Sequence, residues 1–121
     1  MEWVRWLKLR TRTNDYTRVT QAAAATVDLF ASGADEDFAV FKITASVDAA
    51  NVIDLFWTDS ANGNVEFIGQ LNFASEGTFV YDFPDSMLRN PNRQGGKLRM
   101  TTSTAANTTV DVIGHEVHAG Q

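Results

Sequence analysis

Hydrophobic and polar residues alternate with a period of two through most of this chain, in short runs rich in β-branched and aromatic side chains and separated by Gly, Asn, Asp and Ser. That is how antiparallel strands joined by turns are written, each strand presenting one face to a core. The plainest unit is a hairpin: an apolar run over 52–57 ending Leu55-Phe56-Trp57, a turn from Thr58 and Asp59 through Asn62 and Gly63 to Asn64, and the alternating run 65–71. Segment 38–47 predicts the longest strand, with Phe41, Ile43, Ala45 and Val47 on one face and Lys42, Thr44 and Ser46 on the other. Further strands are expected over 16–21, 26–30, 78–83, 97–104 and 108–118, with an arm strand over 4–10. The alanines at 22–25 favour helix by propensity, but four residues do not repay helix nucleation, so they read as a connection.

Two places break the pattern. Residues 84–96 hold Pro84, Asn90, Pro91, Asn92, Gly95 and Gly96, which makes them the longest irregular stretch, with room for one helical turn over 85–88. In the last run Val110 and Val112 have one parity and Val117 the other, which places a register-resetting bulge at Gly114.

No helix-length amphipathic segment competes with the strands. About eight of them without a crossover helix predict an all-β fold, an antiparallel β-sandwich of the jelly-roll type. Shared parity gathers Phe41, Ile43, Leu55, Trp57, Phe67, Leu71, Leu98, Met100, Val110 and Val112 into one core, with Val65 and Phe73 on the same side of the hairpin. The expected organisation is an arm over 1–14 and a single sandwich domain over 15–121. A chain of 121 residues is long enough to bury roughly two thirds of the surface its unfolded form exposes.

Charge changes this picture more than composition does. The first 20 residues hold Arg5, Lys8, Arg10, Arg12 and Arg18 against Glu2 and Asp15, a net +3 in a chain whose total is −5, so the remainder carries −8. A basic start bearing Trp3 and Trp6 on an acidic body reads either as an attachment device for an acidic partner or as a strand with a solvated basic face. Nucleic acid binding is not expected, because it needs a wider basic face than the acidic body offers. Cysteine is absent, which fits assembly in a reducing cytoplasm. No apolar stretch approaches the roughly 20 residues of a membrane span, and charge interrupts Met-Glu-Trp-Val-Arg-Trp-Leu-Lys too often for a signal peptide.

Candidate chemistry is sparse. His115-Glu116-Val117-His118 resembles half of a metal site, but a helical zinc motif sets its histidines at i and i+4, and on a strand positions 115 and 118 point to opposite faces. Asp35-Glu36-Asp37 would ligate calcium only if the loop converged its three carboxylates. Asp59 to Glu66 lacks the acid at the twelfth position of an EF-hand loop and puts Ala61 at a ligand position, so it reads as a hairpin turn. There is no Gly-x-Ser-x-Gly elbow, and Gly95-Gly96-Lys97 lacks the spacing of a phosphate loop. Trp57 would serve as a sugar platform if exposed, but its parity with Ile53 and Leu55 assigns it to the core. The chain is therefore expected to be no enzyme, with no catalytic residue, cofactor or metal.

The succession Tyr16-Thr17-Arg18-Val19-Thr20-Gln21, Ala25-Thr26-Val27-Asp28-Leu29-Phe30, Ala39-Val40-Phe41-Lys42-Ile43-Thr44-Ala45, the run closing on Trp57-Thr58-Asp59, Phe67 to Leu71, Gly96-Lys97-Leu98-Arg99-Met100 and Asn107-Thr108-Thr109-Val110-Asp111-Val112 resembles small β-sandwich virion proteins of tailed bacteriophages. These include capsid decoration, or cement, proteins. The Trp-rich basic start and the long 84–96 stretch depart from the pattern. What the resemblance implies is a structural virion protein made in the host cytoplasm and bound to the outer capsid surface, with the major capsid protein and further copies of itself, as a trimer, for partners. Membrane and nucleic acid are not among the implied partners. Trp3 and Trp6 would be desolvated anchors, with Arg5, Lys8, Arg10 and Arg12 pairing with acidic capsid residues. A tail, neck or head-fibre subunit and a sugar-binding host-attachment module are the other classes left open.

Overall fold

The computed structural model describes residues 15–34, 36–83, 88–92 and 95–118. Its elements are β1 (Asp15–Gln21), β2 (Thr26–Ala31), β3 (Glu36–Val47), β4 (Asn51–Thr58), β5 (Glu66–Phe73), β6 (Gly77–Asp82), β7 (Leu88–Arg89), β8 (Lys97–Thr102) and β9 (Thr108–His118). No helix occurs among the described residues, so none is long and apolar enough to cross a membrane. The alternation fixes the element type, and the turn residues fix most of the boundaries. The exception is β7, a two-residue strand inside the stretch whose sequence signals only loop or a helical turn.

The strands form two sheets in which every pairing is antiparallel. One runs β1-β9-β3-β6, with β7 also paired to β3, and the other runs β2-β8-β4-β5. Each sheet turns alternate residues inward. Phe38, Val40, Ile43, Ala45, Val47, Val110 and Val112 from the first meet Leu29, Ile53, Leu55, Trp57, Leu71, Leu98 and Met100 from the second in one core. Phe30 of β2 stacks on Phe38 of β3 across the sandwich, ring centroids 3.7 Å apart. The all-β, two-sheet sandwich expected from the sequence is the observed fold.

Three bulges decide which apolar residues enter that core, and two of them overturn expectations. In β3 the pairing with β9 slips between Val40, opposite Gly114, and Lys42, opposite Ile113. The extra residue is Phe41, so parity changes there: Phe38 and Val40 point inward before it, Ile43, Ala45 and Val47 after it. Phe41 itself is half-buried and outside the core, and its carbonyl accepts a hydrogen bond from the Phe83 amide at 2.7 Å. The register does reset beside Gly114, as expected, but the bulge lies on the opposite strand. In β5 the pairing slips between Leu55–Gly69 and Phe56–Phe67, leaving Ile68 as the extra residue. Phe67 therefore joins Phe56 on the outer face, 63% exposed, and is not a core residue. Val65 is likewise exposed and Phe73 only half-buried. The third bulge, at Leu29 in β2, brings Phe30 opposite Leu98, so that Phe30 packs against the core beside Leu29.

Gly114 is the one residue its position admits. A Cβ there would run into the Ala39 carbonyl oxygen and lie 2.9 Å from the Phe38 ring. The obstruction is backbone, which has no rotamer to yield.

At one end of the sandwich, buried polar side chains tie the connections together. Asn51 Nδ2 donates to Thr108 Oγ1 at 2.8 Å, while Asn51 Oδ1 accepts from the amides of Val52, Ser103 and Thr104 at 2.9, 3.2 and 3.1 Å. Thr102 Oγ1 donates to the Ala23 carbonyl at 2.8 Å. The β1–β2, β3–β4 and β8–β9 connections are thereby held by side chains that leave few buried partners unmade.

The bulges order three substitutions by stability. Leu55→Ala, at a fully buried site, should cost about 2 to 5 kcal/mol. Gly114→Ala should cost about 1 to 3 kcal/mol or more through overpacking. Phe67→Ala should change stability by no more than about 0.5 kcal/mol. Chemical denaturation of the three variants checks the order, and a loss at Phe67 comparable to that at Leu55 would contradict the observed register.

Candidate functional site

The residues that sequence reasoning assigned to partner binding, Trp3, Arg5, Trp6, Lys8, Arg10 and Arg12, lie outside the described residues. What is described is where their segment begins. Asp15 opens β1 opposite Gly114, on an edge strand of the first sheet and at the end of the sandwich opposite the Asn51 cluster.

Three connections gather at that end, and they are cross-tied. The Ser32 amide donates to the Gly96 carbonyl and the Gly95 amide to the Glu36 carbonyl, both at 3.0 Å. Buried Asn90 donates from Nδ2 to the Thr58 carbonyl at 3.0 Å, and Asn92 Nδ2 to the Asn64 carbonyl at 3.0 Å. Lys97 Nζ donates to Asn62 Oδ1 at 2.9 Å. The described part of the stretch read as irregular, 88–92 and 95–96, is tied to its neighbours, with Gly96 packed so closely against Asn90 and the Thr58 carbonyl that a Cβ would clash, and the helical turn expected over 85–88 falls mostly outside the described residues.

Asp59 organises its own turn. Its Oδ1 accepts from the amides of Ala61 at 2.9 Å and Gly63 at 2.8 Å, and its Oδ2 from Asn64 Nδ2 at 3.1 Å. Asn62 and Asn64 adopt positive φ of 66° and 47°, a conformation Asn tolerates better than most residues. The hairpin-turn reading holds, and the carboxylate is engaged by the turn. Among the described residues no group of three or more His, Cys, Asp and Glu side chains converges. Asp35 and the side chains of His115 and His118 lie outside what is described, although β9 runs as strand through His118.

On the outer face of the first sheet Arg18 clasps Asp111 with two hydrogen bonds, Nε to Oδ1 at 2.7 Å and Nη2 to Oδ2 at 3.2 Å, and the Tyr16 hydroxyl donates to Oδ1 at 2.9 Å. The hydrogen bond from Arg18 holds the Asp111 carboxyl below its usual range, with the Tyr16 hydroxyl adding to the effect. The same contact with Asp111 raises the Tyr16 hydroxyl and the Arg18 guanidinium. On the other sheet Asp28 receives Arg99 Nε at 2.6 Å and lies 3.7 Å from Lys97 Nζ. Arg18, Lys97 and Arg99 are thus engaged within the body, and the basic surplus belongs to residues 1–14: Arg5, Lys8, Arg10 and Arg12 against Glu2.

Trp57 is 3% exposed and presents no platform to a sugar. The exposed large apolar residues are Tyr16, Val65, Phe67, Phe79 and Val80. Phe79 and Val80 belong to β6, an edge strand that pairs only with β3 among the described residues. Phe79 meets Tyr81 edge-on at 4.9 Å and Tyr81 stacks toward Phe83 at 5.9 Å, so the flank of the sandwich beside β6 is aromatic. Sequence reasoning took this run as an ordinary strand. Its signal was the absence of any charge between Glu76 and Asp82.

No protein-family model matches the chain, and no curated protein matches it. Solved structures with similar strand arrangements include the SPBc2 prophage-derived protein YomS, 12% identical over 84% of this chain and 94% of that one at a TM-score of 0.44. A pentameric capsid protein from metagenomic phage sequences matches at 10% identity over 89% of this chain and 64% of that one, TM-score 0.48. The nucleoplasmin-like N-terminal domain of Drosophila FKBP39 matches at 8% identity over 90% and 96%, TM-score 0.48. At these identities and TM-scores they establish neither a family nor a partner for this chain.

The Asp111 cluster makes a prediction with a definite sign. A carboxyl whose folded pKa is depressed stabilises the fold above its unfolded value, about 3.9, and that stabilisation fades as pH falls through the folded value. Asp111→Asn should therefore melt slightly lower than the parent at neutral pH, because an exposed ion pair is largely screened by solvent. The gap should close as the pH is lowered below the carboxylate range. A gap that persists unchanged at acid pH would mean that the pair is not what the substitution removes.

Proposed function

We propose that this chain is a non-enzymatic structural protein of a tailed-phage particle, a decoration or cement protein that binds the assembled head at capsomer junctions. The observation that carries the reading is the contrast between body and arm. In the described body, the polar side chains singled out above, Asp28, Asn51, Asp59, Asn90 and Asp111, are engaged in holding the scaffold. The surplus of positive charge and two of the three tryptophans lie in residues 1–14. A protein that binds only the assembled shell stabilises it by mass action, which takes contact area rather than catalysis. The sequence resemblance to small phage sandwich proteins points the same way, and the strand order β1-β9-β3-β6 over β2-β8-β4-β5 supports its jelly-roll reading. On this reading the major capsid protein supplies the acidic partner, and copies of the chain meet as trimers on the outer capsid surface.

Removing residues 1–14 should leave a folded sandwich that no longer binds expanded shells, because the core comes from β1 onward. Changing Arg5, Lys8, Arg10 and Arg12 together to Ser should weaken binding and flatten its salt dependence, since exposed charges are screened within about 8 to 10 Å at physiological salt. Co-sedimentation with shells at several salt concentrations reads both. Normal binding by the truncated chain would move attachment to the cross-tied loops around Asn90. The protein should also need no metal: treatment with a chelator should leave its melting temperature unchanged, and a drop restored by calcium or zinc would contradict this.

A further inference from the structure

We infer that residues 3–10 of one copy add as a strand to the outer edge of β6 in a second copy, an edge left unpaired among the described residues, joining the subunits head to tail. The inference starts from the four edge strands of the sandwich, β1, β6, β2 and β5. An exposed edge offers unpaired backbone N–H and C=O groups, and proteins blunt such edges with charges, bulges or covering segments. Three of the four are blunted here. β1 carries Asp15 and Arg18, β2 carries Asp28 and the bulge at Leu29, and β5 carries Glu66 and the bulge at Ile68. β6 reads Gly-Thr-Phe-Val-Tyr-Asp, with its one charge, Asp82, at the last position and neither a charge over 77–81 nor a bulge, and it leaves Phe79 43% and Val80 48% exposed. That edge has the composition of a strand that is covered in the working protein.

The chain supplies a segment of matching chemistry. Residues 3–10 read Trp-Val-Arg-Trp-Leu-Lys-Leu-Arg, rich in residues that favour strands and devoid of acid. Carboxylates bracket β6, with Glu76 just before it and Asp82 at its end, six residues apart. Lys8, Arg10 and Arg12 share one parity, so an added strand can turn three cations to one face of that edge. Main-chain pairing would give affinity and the flanking charges would fix the register.

The topology favours a neighbour over the same chain. The segment departs from β1, at the far side of the sheet from β6, with β9 and β3 between. Pairing within one copy would lay it back across the face that carries Arg18 and Asp111. Fourteen residues reach roughly 45 Å when extended, enough to pass straight out to another subunit. Donor edge and acceptor edge are different surfaces, so the contact is heterologous, the type that builds a ring where its rotation closes. The inference deepens the proposed role of the arm, with the neighbouring subunit as its first receptor.

Two variants of the chain test it by complementation. Val80→Lys places a charge on an exposed position of the acceptor edge and leaves the arm intact; removal of residues 1–12 leaves the acceptor intact and takes the arm away. Native mass spectrometry and light scattering should find the parent oligomeric and each variant monomeric with an unchanged far-UV spectrum. An equal mixture of the two should form a heterodimer with one arm and one acceptor. A monomeric parent, or oligomers that survive Val80→Lys, would overturn the inference. Two monomeric variants that fail to combine would overturn it as well, because an arm folded onto its own β6 gives that result. Shell binding is read separately: a heterodimer that forms without any shell affinity leaves the subunit contact standing and removes the decoration role.

Discussion

The pairing of β3 with β9 is the interaction on which the rest of the sandwich depends. Both strands lie in the interior of their sheet, and both have neighbours on either side. Their register slips once, at Phe41 opposite the Val40–Gly114 pair. Had it not slipped, Phe38 and Val40 would face outward with Lys42, and Ala39 and Phe41 would face the core in their place. Gly114 makes the slip possible by letting the Ala39 carbonyl approach to a distance no side chain permits. The same slip frees the Phe41 carbonyl to receive the Phe83 amide, and beyond that contact β7 takes up the β3 edge. One glycine thereby sets core composition on one side and the course of the longest connection on the other.

The strands were legible in the sequence because a period-two pattern bounded by turn residues is a local signal. The register was less so, because a bulge is a two-strand property that neither strand announces alone. Gly114 gave a partial cue: the parity change between Val112 and Val117 located the irregularity but not the strand that carries the extra residue. Ile68 gave none, and Phe67 was assigned to the core because its parity with Leu71 counted unbroken. Asn90 read as part of an irregular stretch and is a buried fastener instead, as is Asn51. Asparagine serves both purposes, and only the partners it meets across a fold distinguish them. Thr102 and Thr108 hide in the same way, since a threonine in a strand is ordinary on either face.

The candidate site divides along the same line. Charge asymmetry was visible from the sequence, but its location was blurred, because Arg18 counted toward the basic start until Asp111 was seen to hold it. With Arg18 assigned to the body, residues 1–14 hold the entire positive surplus. Lys97 and Arg99 show the complementary case, basic residues whose charge is absorbed by Asp28. A formal charge count distributes charge along the chain, whereas attraction of a partner depends on charges left uncompensated in space.

Edges complete the argument about assembly. A two-sheet sandwich cannot eliminate its four edge strands as a closed barrel does, so each edge has to be blunted or used. Blunting costs little in β2 and β5, where bulges also bring Phe30 against the core and turn Phe67 away from it. In β6 the aromatic series Phe79, Tyr81 and Phe83 requires regular alternation, because all three lean toward the space between the sheets. A bulge there would break the series. Packing inside the flank thus opposes one of the usual protections, which leaves an edge of this kind suited to being covered by another strand.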